Sequence, residues 1–234
     1  MKQTRVALVT GGNRGIGLEV CRQLARSGVT VLLGARELQA GITAAGQLAS
    51  AQLNVTAVKL DITSDPDIAG VRAHVEREFG ALDILVNNAA MLIGEDSSIL
   101  EVSDAELRDT FETNVVAQLA MCRAFVPAMV ARRYGRVVNV SSTAGQLQSM
   151  GTYAPAYSIS KTALNALTKT IAESVSGTGV LVNCVNPGWV RTDMGGPHAP
   201  LSVEQGADTI VWAATLADNG PTGAFLSGRR KIAW

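Results

Sequence analysis

Val6-Ala7-Leu8-Val9-Thr10-Gly11-Gly12-Asn13-Arg14-Gly15-Ile16-Gly17 is the stretch on which the fold turns. Its first four residues are apolar and small or branched, the pattern of a short parallel strand buried on both faces, and a helical pattern begins after Gly17. A strand, a glycine turn and a helix in that order make a phosphate site. Gly11, Gly15 and Gly17 lack the Cβ that would hold a pyrophosphate off the backbone. The helix opening near Arg14 to Ile16 aims free N–H groups and its positive end at an anion. The spacing, Gly-x-x-x-Gly-x-Gly, differs from the common Gly-x-Gly-x-x-Gly, and no Gly-Lys-Ser/Thr marks a triphosphate loop. Taken alone, the turn equally fits close packing of a helix on a strand.

With 47% of its 234 residues hydrophobic and 17% charged, the chain suits one compact α/β domain over residues 1–234. Lys plus Arg equals Asp plus Glu at 20 each, so no net field draws in nucleic acid or an anionic membrane. No uninterrupted apolar run approaches the ~18 residues that span a bilayer. Met1-Lys2-Gln3-Thr4-Arg5 leads straight into the first strand without a signal-peptide core, and a soluble cytoplasmic protein is expected. Cys21, Cys122 and Cys184 lie far apart in apolar segments and read as buried thiols, with no metal site.

After a first helix over about Gly15 to Ser27, the second strand, Val29 to Leu33, ends in Gly34-Ala35-Arg36. A doubly wound fold reads the adenosine ribose at this point, and an acidic residue there would suit NAD. Arg36, with Arg14 able to approach from the first turn, favours the 2′-phosphate of NADP instead. One charge-assisted bond is worth about 1.5–3 kcal/mol, and ~1.4 kcal/mol is a tenfold factor, so one such Arg decides the preference unless it is merely a solvated helix-entry residue.

The third strand, Val55 to Leu60, ends in Asp61-Ile62, where Asp61 can face the adenine amino group or help cap the next helix at Ser64-Asp65-Pro66-Asp67. The fourth, Leu82 to Val86, runs into Asn87-Asn88-Ala89-Ala90, whose small residues leave room for a cofactor and whose Asn side chains can pin neighbouring strand ends. Ser103-Asp104-Ala105-Glu106 is a capping box opening a long helix to about Arg132, with a kink expected at Pro127. Asn114 interrupts that helix's apolar stripe and is either a buried brace or part of a site.

A fifth strand, Arg136 to Val140, delivers Ser141-Ser142. Tyr157 and Lys161, four residues apart, share one face of the helix that follows. The sixth strand, Val180 to Val185, ends in Asn186-Pro187-Gly188-Trp189-Val190-Arg191-Thr192, and residues 188–201 read as a mobile cover for the pocket. Ser202-x-x-Gln205 caps a final helix, and Gly223 to Ser227 reads as the last strand.

In chain order, Thr-Gly-x-x-x-Gly-Ile-Gly at Thr10 to Gly17, Asn-Asn-Ala at Asn87 to Ala89, Asn114, Ser142, Tyr-x-x-x-Lys at Tyr157 to Lys161 and Pro-Gly at Pro187–Gly188 resemble the short-chain dehydrogenase/reductase superfamily over nearly the whole chain. Gly11 to Leu18, Gly135 to Ser142 and Pro187 to Met194 are most similar to its NADPH-dependent carbonyl reductase branch. The resemblance implies a single doubly wound Rossmann domain, an α/β fold whose central parallel sheet has about seven strands and helices on both faces.

It further implies reduction of ketones and aldehydes with NADP(H). Tyr157 would be the proton donor, its pKa drawn down by Lys161, with Ser142 bonding the developing alkoxide and Asn114 holding a water for proton resupply. The cofactor would be met by Gly11, Asn13, Arg14, Gly15, Ile16 and Gly17 in the turn, by Arg36, Asp61, Ile62, Asn87 and Ala89 at the next strand ends, by Tyr157 and Lys161, and by Pro187, Gly188, Val190 and Thr192. Met91, Leu147, Trp189 and Met194 would form an apolar substrate wall.

Ala90 stands where the family has Gly. The segment between Ser142 and Tyr157 lacks the insertion of monomeric animal carbonyl reductases, which leaves two helices free to pair in a homodimer or homotetramer. A 3-oxoacyl thioester reductase, a hydroxysteroid or sugar-alcohol dehydrogenase, or a non-catalytic NADP sensor are the alternatives on the same fold. A serine hydrolase is disfavoured, since no Gly-x-Ser-x-Gly elbow is present.

Overall fold

The computed structural model describes residues 4–234; Met1 to Gln3, part of the N-terminal stretch read above, lie outside them. The opening apolar run forms β1 (Val6–Thr10), buried along its whole length, and stands inside an eight-stranded sheet ordered β3-β2-β1-β4-β5-β6-β7-β8. Its neighbours are β2 (Thr30–Ala35) and β4 (Ile84–Asn87); beyond them come β3 (Val55–Lys59) on one side and β5 (Gly135–Val140), β6 (Val180–Val185) and β7 (Phe225–Ser227) on the other. These seven run parallel, and β8 (Arg230–Ile232) returns antiparallel on β7. The expected strand count of about seven thus missed one. β8 has three residues, two of them charged and exposed, too few for a readable alternation. Those charges, and Lys59 on β3, blunt the two sheet edges.

Period-two alternation divides the core. Val9, Leu33, Val86 and Val138 face α1 (Gly15–Arg26), α2 (Leu38–Ala49) and α7 (Val203–Ala214). Their neighbours Leu8, Leu32, Leu85 and Val137 face α3 (Asp65–Phe79), α5 (Ala117–Ala131) and α6 (Pro155–Ser174). The three cysteines are buried free thiols.

The long helix over Asp104–Arg132 is two helices, α4 (Asp104–Phe111) and α5, joined by a π-helical turn at Glu112–Val116. The irregularity expected at Pro127 falls instead around Asn114, whose side chain is drawn into bonds outside the helix, and α5 runs on through Pro127. By length and composition Asp104–Ala131 could cross a bilayer, but here Met121, Cys122, Phe125 and Met129 are packed into the core.

Candidate active site

Because the first six strands are parallel, the turns that follow them collect at one edge of the sheet, and the chain reverses direction across it between β1 and β4. A cleft of about 930 Å³ opens there. Arg36, Asp61 and Ile62 line one end, Gly11, Asn13, Arg14, Gly15, Ile16 and Gly17 the middle, and Ala89, Met91, Tyr157, Lys161, Pro187, Thr192 and Met194 the rest.

The middle is a backbone cradle. Gly11 and Gly15 have φ of +61° and +54°, and a Cβ on Gly17 would strike the Gly11 carbonyl oxygen and lie 2.6 Å from Asn88 Nδ2. Asn88 Nδ2 donates to the carbonyls of Thr10 (2.9 Å) and Gly11 (3.2 Å), while Thr10 Oγ1 accepts the N–H groups of Asn88 (2.9 Å) and Ala89 (3.0 Å). The ends of β1 and β4 are thereby laced together. At the start of α1, Arg14 occupies the N-cap position without a side-chain cap bond, and the first turn carries no acidic residue. Its leading N–H groups are left for an anion.

At the β2 end, Asp61 Oδ1 accepts Thr63 N–H at 3.0 Å and Thr63 Oγ1 at 2.7 Å. These bonds, helped by the charge of Arg36, hold its carboxyl below the usual carboxylate range. Asp61 thus serves its local turn while still lining the cleft, and the capping falls to Ser64. Arg14, expected to approach the same spot, pairs instead with Asp193 at 2.8 Å, a carboxylate that the loop after β6 brings to the cleft.

α6 begins after Ala154, whose backbone is left-handed (φ 40°, ψ 66°), and presents Tyr157 in its first turn with Lys161 one turn on. Ser142 Oγ accepts the Ala144 N–H at 3.1 Å and, unlike Ser141, stands outside the cleft lining, while exerting a lowering influence on the Tyr157 phenol. Lys161 Nζ lies 5.3 Å from the centre of the Tyr157 ring and donates to the Val140 carbonyl at 2.9 Å. Burial pulls the Lys161 pKa down to about 8. The same cause pushes Tyr157 up to about 12, against a smaller lowering by Ser142. In the protein by itself burial outweighs that lowering, whereas the depression expected for Tyr157 belongs to the loaded site, where Lys161 acts together with the oxidised nicotinamide.

Asn114 is fully buried behind the cleft wall. Its Oδ1 accepts Met91 N–H at 2.8 Å, and its Nδ2 donates to the Met91 carbonyl at 2.8 Å and to Ser160 Oγ at 3.0 Å. Ser160 Oγ in turn donates to the Tyr157 carbonyl at 2.7 Å, so the asparagine ties the loop after β4 to the Tyr157 helix.

Asn87, read as a cofactor contact, lies outside the cleft lining. The pleat turns it inward, where Nδ2 donates to Asn139 Oδ1 at 2.9 Å, and Asn88, beyond the strand's end, meets the turn instead. Gly188 and Val190 also stand outside the lining, between Pro187 and Thr192, which are part of it. Leu147 and Trp189, read as substrate wall, are 73% and 58% exposed and outside it as well. The 188–201 loop is bonded to itself: Trp189 Nε1 donates to the Gly195 carbonyl (2.8 Å), Arg191 N–H to Leu201 (2.9 Å) and Leu201 N–H to Trp189 (3.2 Å). Asn88 lines the cleft and does the pinning of strand ends expected of the asparagine pair, whereas Glu95, Ser141 and Asp193 line it without having been singled out from the sequence. Glu95 sits in an irregular loop without periodicity.

The short chain dehydrogenase family model matches residues 5–200. Carbonyl reductase (NADPH) 1 of Sus scrofa is 34% identical over 99% of this chain and 94% of its own length, and its Homo sapiens counterpart 34% over 98% of both. Among solved structures, NADPH-bound carbonyl reductase from chicken fatty liver aligns with a TM-score of 0.88 and 29% identity over 99% of this chain and 100% of that one. The NADPH-bound F189W actinorhodin polyketide ketoreductase aligns at 0.88 with 28% identity over 97% of both chains. With its family model, near-full-length relatives and parallel-sheet fold in agreement, the chain belongs to the short-chain dehydrogenase family.

Proposed function

We propose that the chain reduces ketones and aldehydes to alcohols with NADPH, Tyr157 giving its proton to the carbonyl oxygen. The observation carrying this reading is that Tyr157, with buried Lys161 one helical turn on and its Nζ 5.3 Å from the phenol ring centre, lines the same cleft as the uncapped start of α1. The glycine cradle and the leading N–H groups of α1 fit a pyrophosphate, and Arg36 fits a 2′-phosphate. The bound cofactor's chemistry is hydride donation to the carbonyl carbon.

The rest falls to the chain. Ser142 hydrogen-bonds the substrate oxygen as it gains charge. Lys161 stabilises the phenolate left on Tyr157, working against the burial that holds the phenol at about 12. Asn114 acts through its brace to Met91 and Ser160, and the 188–201 loop covers the substrate. The half-exposed Val116 and Ile159, beside and on the helices free of an insertion, support a homodimer or homotetramer, which light scattering would reveal.

NADPH oxidation followed by absorbance across a carbonyl panel, with NADH in parallel, tests the reading. Tyr157→Phe is expected to lower kcat by about 10²–10⁴-fold, and full turnover in that variant would remove the assignment. Arg36→Ala is expected to reduce the preference for NADPH over NADH by about tenfold or more.

A further inference from the structure

We infer that Glu95 makes the site discriminate among carbonyl compounds by charge, disfavouring anionic substrates and favouring neutral and cationic ones; the inference rests on the carbonyl-reduction reading. Glu95 lies in the loop after β4 and lines the cleft with Met91 and Leu92. Two bonds fix it. Its backbone carbonyl accepts Ala154 N–H at 3.0 Å, and its Oε1 accepts the Tyr153 hydroxyl at 2.8 Å. Ala154 is the N-cap of α6 and Tyr157 lies in the first turn, a rise of about 5 Å away. The carboxylate therefore stands at the Tyr157 end of the cleft, held by the segment that positions the phenol.

Its charge is not cancelled there. Tyr153 is a neutral donor, kept protonated by burial and by Glu95 itself, which together push its pKa up to about 12. Asp193, another carboxylate near this end, is answered by Arg14 at 2.8 Å. Asp61 and its neighbour in charge Arg36 lie at the opposite end, and the ammonium of Lys161 is buried against the Val140 carbonyl. A substrate carrying a carboxylate or phosphate thus meets an unanswered negative charge on entry, and an ammonium group meets a favourable one. A 3-oxoacyl thioester borne on a phosphate-bearing arm is disfavoured for the same reason. Glu95 is exposed, as is its bond to Tyr153, so in this partly aqueous cleft one such charge amounts to about three- to tenfold in affinity, decreasing with salt.

The test uses three ketones with one reacting carbonyl: 4-acetylbenzoate, its methyl ester and 4-(trimethylammonio)acetophenone. Dissociation constants are measured calorimetrically on the NADP⁺-loaded protein, alongside kcat/KM with NADPH. The wild-type protein is expected to bind the ammonium compound best and the carboxylate worst. Glu95→Gln, which keeps an acceptor for Tyr153, is expected to tighten the carboxylate about three- to tenfold and weaken the ammonium compound by a similar factor, with the ester shifting least. Tyr153→Phe, which frees the carboxylate to swing into solvent, is expected to narrow the same spread by a smaller factor. Equal changes for all three ketones, an unchanged spread, or no binding of any of them would overturn the inference. The expected binding order without turnover would uphold it and overturn the reduction reading instead.

Discussion

Helices α1 and α3 both start at the carboxyl edge of the sheet, after strands separated only by β2, yet their first turns are treated in opposite ways. α3 is sealed by its own residues: Ser64 Oγ accepts Asp67 N–H at 3.3 Å, Pro66 removes a donor, and Asp65 and Asp67 face the positive end. α1 has Arg14 where α3 has Ser64, with no cap bond and no first-turn acid. An orphan N–H that no side chain satisfies costs stability unless water or a ligand takes it. The contrast teaches that α1, like α2 beside the same cleft, begins without the side-chain seal that α3 carries, and at α1 the open start coincides with the glycine turn. The capping boxes of α4 and α7, built on Ser103 with Glu106 and Ser202 with Gln205, belong with α3.

The strongest way to break the comparison is to fill the open end. Gly17→Val drives side-chain atoms into the Gly11 carbonyl and Asn88, and the NADPH dissociation constant, read by fluorescence titration, is expected to rise at least about 100-fold, a loss of ~2.7 kcal/mol. Undiminished affinity would show that the cradle holds no ligand.

A subtler exchange makes α1 resemble α3. Arg14→Asp supplies an N-cap acceptor and a favourable charge for the helix, worth about 1 kcal/mol, while placing an anion where the phosphate should sit. NADPH affinity is expected to fall by about tenfold, with Tm unchanged or raised by roughly 2–4 °C. A fall in Tm together with intact affinity would reverse the assignment of that helix end.

Smallest is the converse change on α3. Ser64→Ala is expected to cost about 1 kcal/mol, seen as a Tm lower by roughly 2–4 °C, with NADPH affinity within about twofold of the wild-type protein. Loss of affinity would show that α3 also serves the ligand.

The sequence was most legible where one local rule suffices. Apolar runs marked the seven parallel strands, although β2 extends to Ala35, and the Ser103 and Ser202 capping boxes formed where their spacing placed them. Less legible was the choice between adjacent residues. Asn87 and Asn88 are identical in chemistry, and only the point at which β4 leaves the sheet sends one inward to Asn139 and the other to the glycine turn. Arg136, on a strand that reads as plain β, is fully buried and bonded to the Leu216 carbonyl at 2.8 Å and to Asp218 at 2.6 Å, partners 80 and 82 residues away. No local pattern announces such contacts.

By itself the sequence determined the strand–glycine–helix turn and the common face of Tyr157 and Lys161. Both follow from short-range geometry: glycine's access to positive φ, and the four-residue spacing that aligns side chains on a helix. The tertiary structure alone decided that Arg14 turns to Asp193, 179 residues away, that Leu147 and Trp189 stay outside the cleft, and that Glu95 enters it. It also decided that Tyr157 is buried, which by itself raises the phenol. Burial and long-range partners set these outcomes, because desolvation and charge pairing depend on which distant segments close over a group.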